Sequence, residues 1–169
     1  DQAPIGYNPV PEMTFSLAAG LNWKGIDFSI LLQGAARSSI YLQQDIAWDN
    51  FWGNYYEEHI GRWTPETAAT ATYPRFTKAA TAAHPNYYKS DYWLKDSKYL
   101  RLKNIQLGYT IPRKLLKKFG VRSLRVYANA YNLFTWDNVK KVDPESSNNS
   151  NGQFYPQQKV INFGINLNF

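Results

Sequence analysis

The last ten residues of the chain alternate between apolar and polar side chains. Side chains of a β-strand point alternately to its two faces, so this pattern predicts a strand with one apolar face. A strand of about 9 to 11 residues is also long enough to cross an outer membrane within a barrel. The edge strand of a soluble β-sandwich is the alternative. The apolar positions are Ile161, Phe163, Ile165, Leu167 and Phe169, and asparagine or glycine lies between them.

Four earlier segments have the same period of two and predict further strands. These segments are 13–23, 25–34, 99–111 and 123–133. The first two are joined by a tight connection at 24–25, which predicts a hairpin. Together with the last segment they predict an all-β chain with about five antiparallel strands.

The predicted strand at 99–111 changes phase near its middle. Leu100 and Leu102 are out of step with Ile105 and the apolar residues that follow it. A β-bulge near Lys103 would bring the two halves into one phase. Alternatively, the two leucines pack inward against a plug.

Short and long connections alternate along the chain. If the C-terminus is periplasmic, the turns at 24–25 and 112–122 are periplasmic, and the loops at about 1–12, 35–98 and 134–158 are external. Short periplasmic turns and long external loops are typical of outer-membrane barrels.

The turn at 112–122 begins with a proline and has a glycine at position 120, which predicts one or two helical turns. Its basic side chains suit the anionic headgroups of the inner leaflet, with the apolar ones in the interface. An ordinary solvated turn has the same composition. The basic residues are Arg113, Lys114, Lys117 and Lys118, and the apolar ones are Leu115, Leu116 and Phe119.

Composition excludes several classes of protein. The chain of 169 residues has no cysteine, which excludes disulfide frameworks and thiolate metal sites. It has no apolar run near the roughly 18 residues that a membrane helix needs. The net charge of +6 is compatible with phosphate, anionic lipid or an acidic substrate. The cations form no continuous stripe, so we expect no nucleic-acid partner.

Five strands cannot close a barrel, because the smallest single-chain barrels have about eight. An open sheet would leave unpaired backbone groups in lipid, each at a cost of several kcal/mol. The sequence also lacks an initiating methionine and a signal peptide. We therefore expect this chain to be the C-terminal part of a longer barrel, or one half of a split barrel.

Several segments of the chain form recognisable motifs, of which the longest, at 90–112, reads SDYWLKDSKYLRLKNIQLGYTIP. The other segments are RWTPE at 62–66, SLRVY at 123–127, NLFTW at 132–136, DPE at 143–145 and the terminal strand. In their order and spacing, across essentially the whole chain, these segments resemble the C-terminal region of SusC-type TonB-dependent outer-membrane transporters, the SusC/RagA-like family.

The resemblance implies a 22-stranded barrel in the outer membrane of a Gram-negative bacterium, with this chain as strands and external loops. The N-terminal plug and the segment that contacts TonB would lie upstream. A SusD-like surface lipoprotein would cap the barrel, and pairs of the two proteins could dimerise. The implied function is TonB-energised import of oligosaccharides or peptides. The C-terminus also looks like a barrel-assembly signal, comprising Phe163, Ile165, Leu167 and Phe169.

The long loop at 35–98 is rich in aromatic residues interleaved with amide and charged groups. Such a surface suits sugar rings or peptide side chains, which offer both apolar faces and hydrogen-bonding edges. Alternatively, the rings pack the loop itself, lie at the membrane interface, or contact the lipoprotein. The candidate ligand or partner residues are Trp48, Trp52, Tyr55, Tyr56, Trp63, Arg75, Tyr92 and Trp93.

Catalytic chemistry is not expected. Glu57, Glu58 and His59 are adjacent, but neighbouring side chains on a strand diverge and a metal site usually needs more ligands. Asp45 and Asp49 could share a helical face, yet a solvated loop surface is the favoured interpretation. We predict no catalytic residue, no metal and no cofactor.

Two other function classes have the same strand pattern. A passive porin or an adhesin barrel would have the strands without the plug and the lipoprotein. A soluble carbohydrate-binding sandwich would cover its apolar faces with a second sheet.

Overall fold

A computed structural model describes residues 3–49, 53–78, 84–146 and 155–169. The chain divides into two compact units, which we call the loop unit and the sheet unit. The loop unit comprises Asp1–Pro11, Arg37–Ser97 and Asn138–Tyr155. The sheet unit comprises Glu12–Ala36, Lys98–Asp137 and Pro156–Phe169.

The regular secondary structure of the described residues is mostly antiparallel β-sheet. The sheet unit has five strands in the order β1-β2-β5-β6-β7, and β3 pairs with β4 in the loop unit. Every pairing between neighbouring strands is antiparallel. The strands are β1 (Met13–Trp23), β2 (Ile26–Ala36), β3 (Ser39–Tyr41), β4 (Leu94–Asp96), β5 (Tyr99–Thr110), β6 (Ser123–Asp137) and β7 (Val160–Asn168).

Two strands extend beyond the ranges that the sequence predicts. β2 continues to Ala36, which pairs with Met13. β6 continues to Asp137, beyond an irregularity at Asn132 where φ is +51°, and Phe134 and Trp136 keep the phase of Ala130. In the sequence, the alternation of apolar and polar residues is interrupted at Asn132 and Leu133. Alternation alone therefore placed the end of β6 too early.

The predicted bulge in β5 is confirmed. The pairing with β2 shifts between Leu31 and Leu32, so that Leu32 pairs with Leu102 and Ile30 pairs with Ile105. Residues directly opposite each other on antiparallel strands share a face. Leu102 therefore lies on the same face as Ile105, and the alternative in which it packs inward is wrong.

One apolar face continues across all five strands of the sheet unit. A single row of paired positions runs through Leu21, Phe28, Leu107, Ala128 and Phe163. Leu21 is 61% exposed, Leu107 is 55% exposed and Phe163 is 82% exposed. A soluble sandwich would bury this row under a second sheet. The described residues instead leave it open to the surroundings.

The opposite face of the sheet carries polar side chains fitted around two glycines. Arg125 donates two hydrogen bonds to the carboxylate of Asp27, forming a salt bridge across Gly108 of the intervening strand. The Arg125 guanidinium also lies 4.8 Å from the centroid of the Tyr127 ring, and that ring covers Gly164. A Cβ atom at either glycine would overlap these side chains. The contacts join four strands on the polar face.

Both short turns lie at one end of the sheet. Lys24 and Gly25 have φ values of +48° and +89°, typical of the two-residue hairpin turn. The backbone N–H of Thr110 donates to the carbonyl of Gly25 at 2.7 Å. Helix α1 (Arg113–Leu116) continues into a 3-10 turn that ends at Gly120, where φ is +69°. The predicted helical turn is confirmed.

The described residues of the loop unit include short helical turns. Its 3-10 turns are Gln44–Ile46, Glu57–Gly61 and Pro85–Tyr87. The small β3-β4 sheet was not predicted, because three-residue strands are too short to show a period of two. Within the described ranges, no helix is both long enough and apolar enough to cross a membrane.

Candidate ligand-binding loops

Serine side chains fix the ends of the long loop. The backbone N–H of Tyr7 donates to Oγ of Ser39 at 2.9 Å, and the N–H of Ser39 donates to the carbonyl of Asn8 at 3.3 Å. Farther along the chain, Ser97 donates both its backbone N–H and its Oγ–H to Ser38. The first and last residues of segment 37–97 are thus held close together, as in a compact surface loop.

Aromatic rings form the centre of the loop unit. The Trp48 and Tyr87 rings have centroids 4.6 Å apart, and Trp93 meets Tyr92 edge to face at 4.7 Å. Such pairs contribute about 0.5–1.5 kcal/mol each beyond the area they bury. The buried cluster comprises Ile40, Leu42, Ala47, Trp48, Tyr73, Tyr87, Trp93 and Val139.

Asp49 is a buried carboxylate at the centre of this cluster. Its Oδ1 accepts a hydrogen bond from the Tyr87 hydroxyl, and its Oδ2 accepts one from the backbone N–H of Thr77 at 3.0 Å. The N–H of Asp49 donates to the Tyr73 hydroxyl at 3.0 Å, and that hydroxyl donates to the Ala47 carbonyl at 2.8 Å. A buried charge is tolerated when donors surround it. Asp49 therefore joins three segments of the loop, and the expectation of a solvated surface at this residue is wrong.

His59 has a fixed tautomer and a structural position. Its Nδ1 accepts a hydrogen bond from the N–H of Tyr56 at 3.0 Å, which places the ring proton on Nε2. Nε2 then donates to the carbonyl of Ala47 at 3.2 Å. The ring is buried among aromatic neighbours, including Tyr73 at 4.5 Å. No group of three or more potential metal-ligating side chains occurs in the described part of the chain.

Burial raises the pKa of Tyr73 and Tyr87 in this cluster, and partial burial raises that of the neighbouring Tyr92. For Tyr73 the main cause is desolvation, and the nearby Asp49 carboxylate adds to it. For Tyr87 desolvation is again the main cause, followed by its hydrogen bond to Asp49. Desolvation and the charge of Glu58 raise the pKa of Tyr92 to about 12. At neutral pH these hydroxyls are therefore protonated and available as donors.

A groove of about 1110 Å³ opens beside the aromatic cluster. Aromatic and aliphatic surfaces line part of it, and a lysine, an aspartate, a serine and a glutamine line the rest. Apolar faces with a few polar groups of both charges are what an amphipathic ligand needs. The lining residues are Ala3, Ile5, Tyr41, Gln43, Trp48, Tyr87, Tyr88, Lys89, Ser90 and Asp91.

The residues that the sequence proposes for ligand contact do not form one site. Trp48 is buried but lines the groove, whereas Trp93 is core and donates its indole N–H to the Asn86 carbonyl at 2.8 Å. Trp52 lies outside the described residues. The remaining candidates are exposed at the surface of the loop unit, and none of them lines the groove: Tyr55, Tyr56, Trp63, Arg75 and Tyr92.

Sequence patterns alone did not identify the polar residues of the groove. Gln43, Lys89 and Asp91 form no motif, and Gln43 lies 46 residues before Lys89. The adjacent tyrosines Tyr87 and Tyr88 were visible only as part of the aromatic composition. Folding of the loop brings these side chains together, so no local signal could identify them.

The sequence is similar over its whole length to TonB-dependent receptors. TonB-dependent receptor P26 of Formosa agariphila is 29% identical over 186 aligned positions, covering 100% of this chain and 18% of the receptor. TonB-dependent receptor SusC of Bacteroides thetaiotaomicron is 25% identical over 167 positions, covering 98% of this chain and 16% of SusC. The resemblance to SusC-type TonB-dependent receptors is confirmed. No family model matches the sequence.

A solved structure has the same fold. The RagAB peptide transporter is 24% identical, with a TM-score of 0.71, over 95% of this chain and 17% of the transporter chain. This chain therefore spans less than a fifth of the length of the TonB-dependent receptors and of the transporter that it matches. These relatives carry the names of receptors and transporters, not of enzymes.

Proposed function

We propose that this chain forms five adjacent wall strands and the external loops of a SusC-type transporter in the outer membrane of a Gram-negative bacterium. In the complete protein, a 22-stranded barrel would surround a plug, and the remaining strands would pair with β1 and β7. A single observation carries this proposal. The apolar face of the sheet unit is continuous over five strands and is exposed.

The distribution of residues on that face favours lipid as its environment. Phe134 and Trp136 stack at one end of β6, with their centroids 6.2 Å apart. At the other end of the sheet, the Lys24 ammonium lies 4.8 Å from the centroid of the Trp23 ring. A row of aliphatic side chains through Ile30 separates the two ends. Two aromatic belts around an aliphatic band are typical of outer-membrane barrels.

The length of the apolar band agrees with a membrane. Phe15 and Trp23 are eight residues apart on β1 and belong to the rows that carry the two aromatic belts. At about 3.4 Å per residue they are separated by roughly 27 Å along the strand. A tilt of about 40° reduces this height to roughly 20 Å, comparable with the band of about 25 Å in such barrels.

We infer that the polar face lines the interior of the barrel and that the loop unit is external. A SusD-like lipoprotein would then cap the barrel, and TonB would supply energy through the upstream part. The proposed cargo is an oligosaccharide or a peptide. The groove supports this range of cargo, because aromatic rings and polar side chains of both charges line it. RagAB is a peptide transporter, which supports the peptide alternative.

The assembly role of the last strand is part of this proposal. Phe163, Ile165 and Leu167 are exposed on the apolar face, and Phe169, directly after β7, is also exposed. The insertion machinery could bind such a face before lipid covers it. We expect Phe163→Ser to lower the yield of heat-modifiable barrel, whereas Asn162→Ser leaves that yield unchanged. Equal yields would contradict the assembly role.

The membrane location is tested on the full-length protein. We expect it to fractionate with outer membranes, to need detergent for extraction, and to migrate differently on gels before and after heating. Purification in the absence of detergent as a soluble monomer would exclude the barrel and favour the carbohydrate-binding sandwich.

Transport is tested separately by uptake of labelled oligosaccharides and peptides in cells. We expect uptake to require the full-length protein, TonB and the SusD-like lipoprotein. Uptake without TonB would favour a passive porin. In the groove, Tyr88→Ala should weaken uptake at low substrate concentration, while Tyr155→Ala, an exposed residue outside the groove, should not.

A further inference from the structure

The turn between β5 and β6 has a composition that the transport function does not use. Residues 112–122 contain five basic side chains and no acidic one. Four of the five lie on α1 and the 3-10 turn that follows it, and all four are exposed. Such a concentration of positive charge at one end of the sheet favours an anionic partner.

The apolar residues of this turn are arranged separately from the basic ones. Leu115 and Phe119 are four residues apart, and Leu116 and Phe119 are three apart, so the three lie along one side. Leu116 is buried, whereas Leu115 and Phe119 are 66% and 76% exposed. Two large apolar side chains therefore remain uncovered beside a group of cations.

The turn is also firmly attached to the sheet. The N–H of Ile111 donates to the carbonyl of Leu124 at 2.8 Å, and the N–H of Arg122 donates to the carbonyl of Asn168 at 2.8 Å. The two ends of the turn are thus fixed beside the last residues of β5 and β7 and the first residues of β6. The hairpin turn at Lys24 and Gly25 lies at the same end and is bonded to Thr110.

We propose that residues 113–119 form an interfacial anchor that binds anionic phospholipid headgroups of the periplasmic leaflet. This inference rests on the proposed membrane location of the apolar sheet face. Phe119 and Leu115 enter the region below the headgroups, and Arg113, Lys114, Lys117 and Lys118 contact phosphate. Short amphipathic segments with this division of residues lie in the plane of a membrane interface.

Two features of the turn favour lipid as its partner: its positive charge, and its continuity with the proposed lipid-facing strands. Each lysine or arginine near an anionic surface strengthens binding by about fivefold. The proposed lipid-facing strands end where the turn begins, and Tyr109 of β5 belongs to the same row as Trp23, in the aromatic belt at this end of the sheet. An acidic protein surface, such as a plug segment, would also attract the cations. It would cover Phe119 and remove it from lipid.

Site-directed spin labels on the full-length transporter in lipid nanodiscs test the position of the turn. The chain contains no cysteine, so Phe119→Cys and Lys118→Cys each introduce one label within it. We expect the label at 119 to be reached severalfold more by oxygen than by a water-soluble nickel reagent, and the label at 118 to show the reverse. Greater access of the nickel reagent to 119 overturns the proposal, and so does a label at 119 that neither reagent reaches.

Lipid preference gives a second test. We compare phosphatidylglycerol with phosphatidylcholine, using spin-labelled lipids at low ionic strength. We expect wild type to prefer phosphatidylglycerol by about fivefold or more, and Lys114→Gln/Lys118→Gln to lose most of this preference. The matched control Lys78→Gln/Lys140→Gln, at two exposed lysines of the loop unit outside the groove, should retain it. Equal preference in both double variants overturns the anchor.

A third label separates this inference from the proposed function. A label at Phe163→Cys lies on the apolar sheet face, away from the turn. If oxygen reaches 163 but not 119, the barrel is in lipid and only the anchor is wrong. If the nickel reagent reaches 163 preferentially, the membrane location itself is wrong.

Discussion

The two units of this chain place their large apolar side chains in opposite ways. In the loop unit, Trp48 and Trp93 are each 3% exposed and pack in a core. In the sheet unit, Phe163 is 82% exposed on a continuous apolar face. The hydrophobic effect drives both groups of side chains out of water. The loop unit supplies its own apolar environment, whereas we propose that lipid supplies that of the sheet unit.

The two units are also stabilised by different kinds of interaction. The sheet unit is held by backbone hydrogen bonds between neighbouring strands and by side chains such as Asp27 and Arg125 across Gly108. The loop unit depends on side chains far apart in the sequence, above all Asp49 with Tyr87 and Thr77. Substitutions in one unit should therefore leave the other largely intact.

The largest expected effect is a charge on the apolar face of the sheet. Ile161 lies in the middle row, opposite Ala130, and a lysine at mid-membrane costs roughly 2–4 kcal/mol in a barrel. We expect Ile161→Lys to reduce the amount of heat-modifiable barrel severalfold. Asn162→Lys, on the polar face, should have little effect. Similar losses in both variants would contradict the proposed difference between the faces.

Removal of the buried carboxylate tests the loop unit alone. Asp49→Ala leaves the Tyr87 hydroxyl and the Thr77 N–H without their acceptor, at a cost of about 2–3 kcal/mol. We expect faster proteolysis within residues 53–78 and no change in barrel heat-modifiability. Glu57→Ala, an exposed acid in the same loop, is the control. Loss of the barrel in Asp49→Ala would show that the units are not independent.

A smaller effect is expected where Tyr127 covers Gly164. A methyl group at 164 overlaps the ring, so Gly164→Ala should cost about 1–2 kcal/mol by overpacking. Thermal unfolding of the full-length protein measures this cost. Tyr127→Ala combined with Gly164→Ala should recover most of it in a double-mutant cycle. Additive losses would show that the ring has no part in the effect.

The last test is alkaline titration. It is the test most specific to the loop unit, and its effect at neutral pH is expected to be the smallest. Tyrosines in the unfolded chain lose their protons near pH 10, whereas the pKa of Tyr92 is raised to about 12 and those of Tyr73 and Tyr87 are also raised. The unfolded state then binds fewer protons, so the free energy of unfolding falls as pH rises above about 10. Tyrosinate absorbance and proteolysis should change together. Loop proteolysis that stays constant through pH 12 would contradict this.

Alternation in the sequence located the sheet unit because strand periodicity is a local property. A side chain's face on a strand depends only on its position in a repeat of two. The predicted ranges of the long loops therefore lie within four residues of the segments that make up the loop unit. The change of phase at Leu102 was interpretable for the same reason, since one extra residue at Lys103 restores the pattern.

Tertiary structure alone decided the interior of the loop unit. Asp49 and Tyr87 are 38 residues apart, and neither their spacing nor their residue types distinguish them from other acids and tyrosines in the loop. The groove likewise joins Gln43 with Lys89 and Asp91. Such contacts form because a loop with closed ends must bury its aromatic rings and satisfy any charge that it buries with them. The sequence by itself determined which segments form the strands of the sheet unit, because their periodicity is local, and folding determined which loop residues meet.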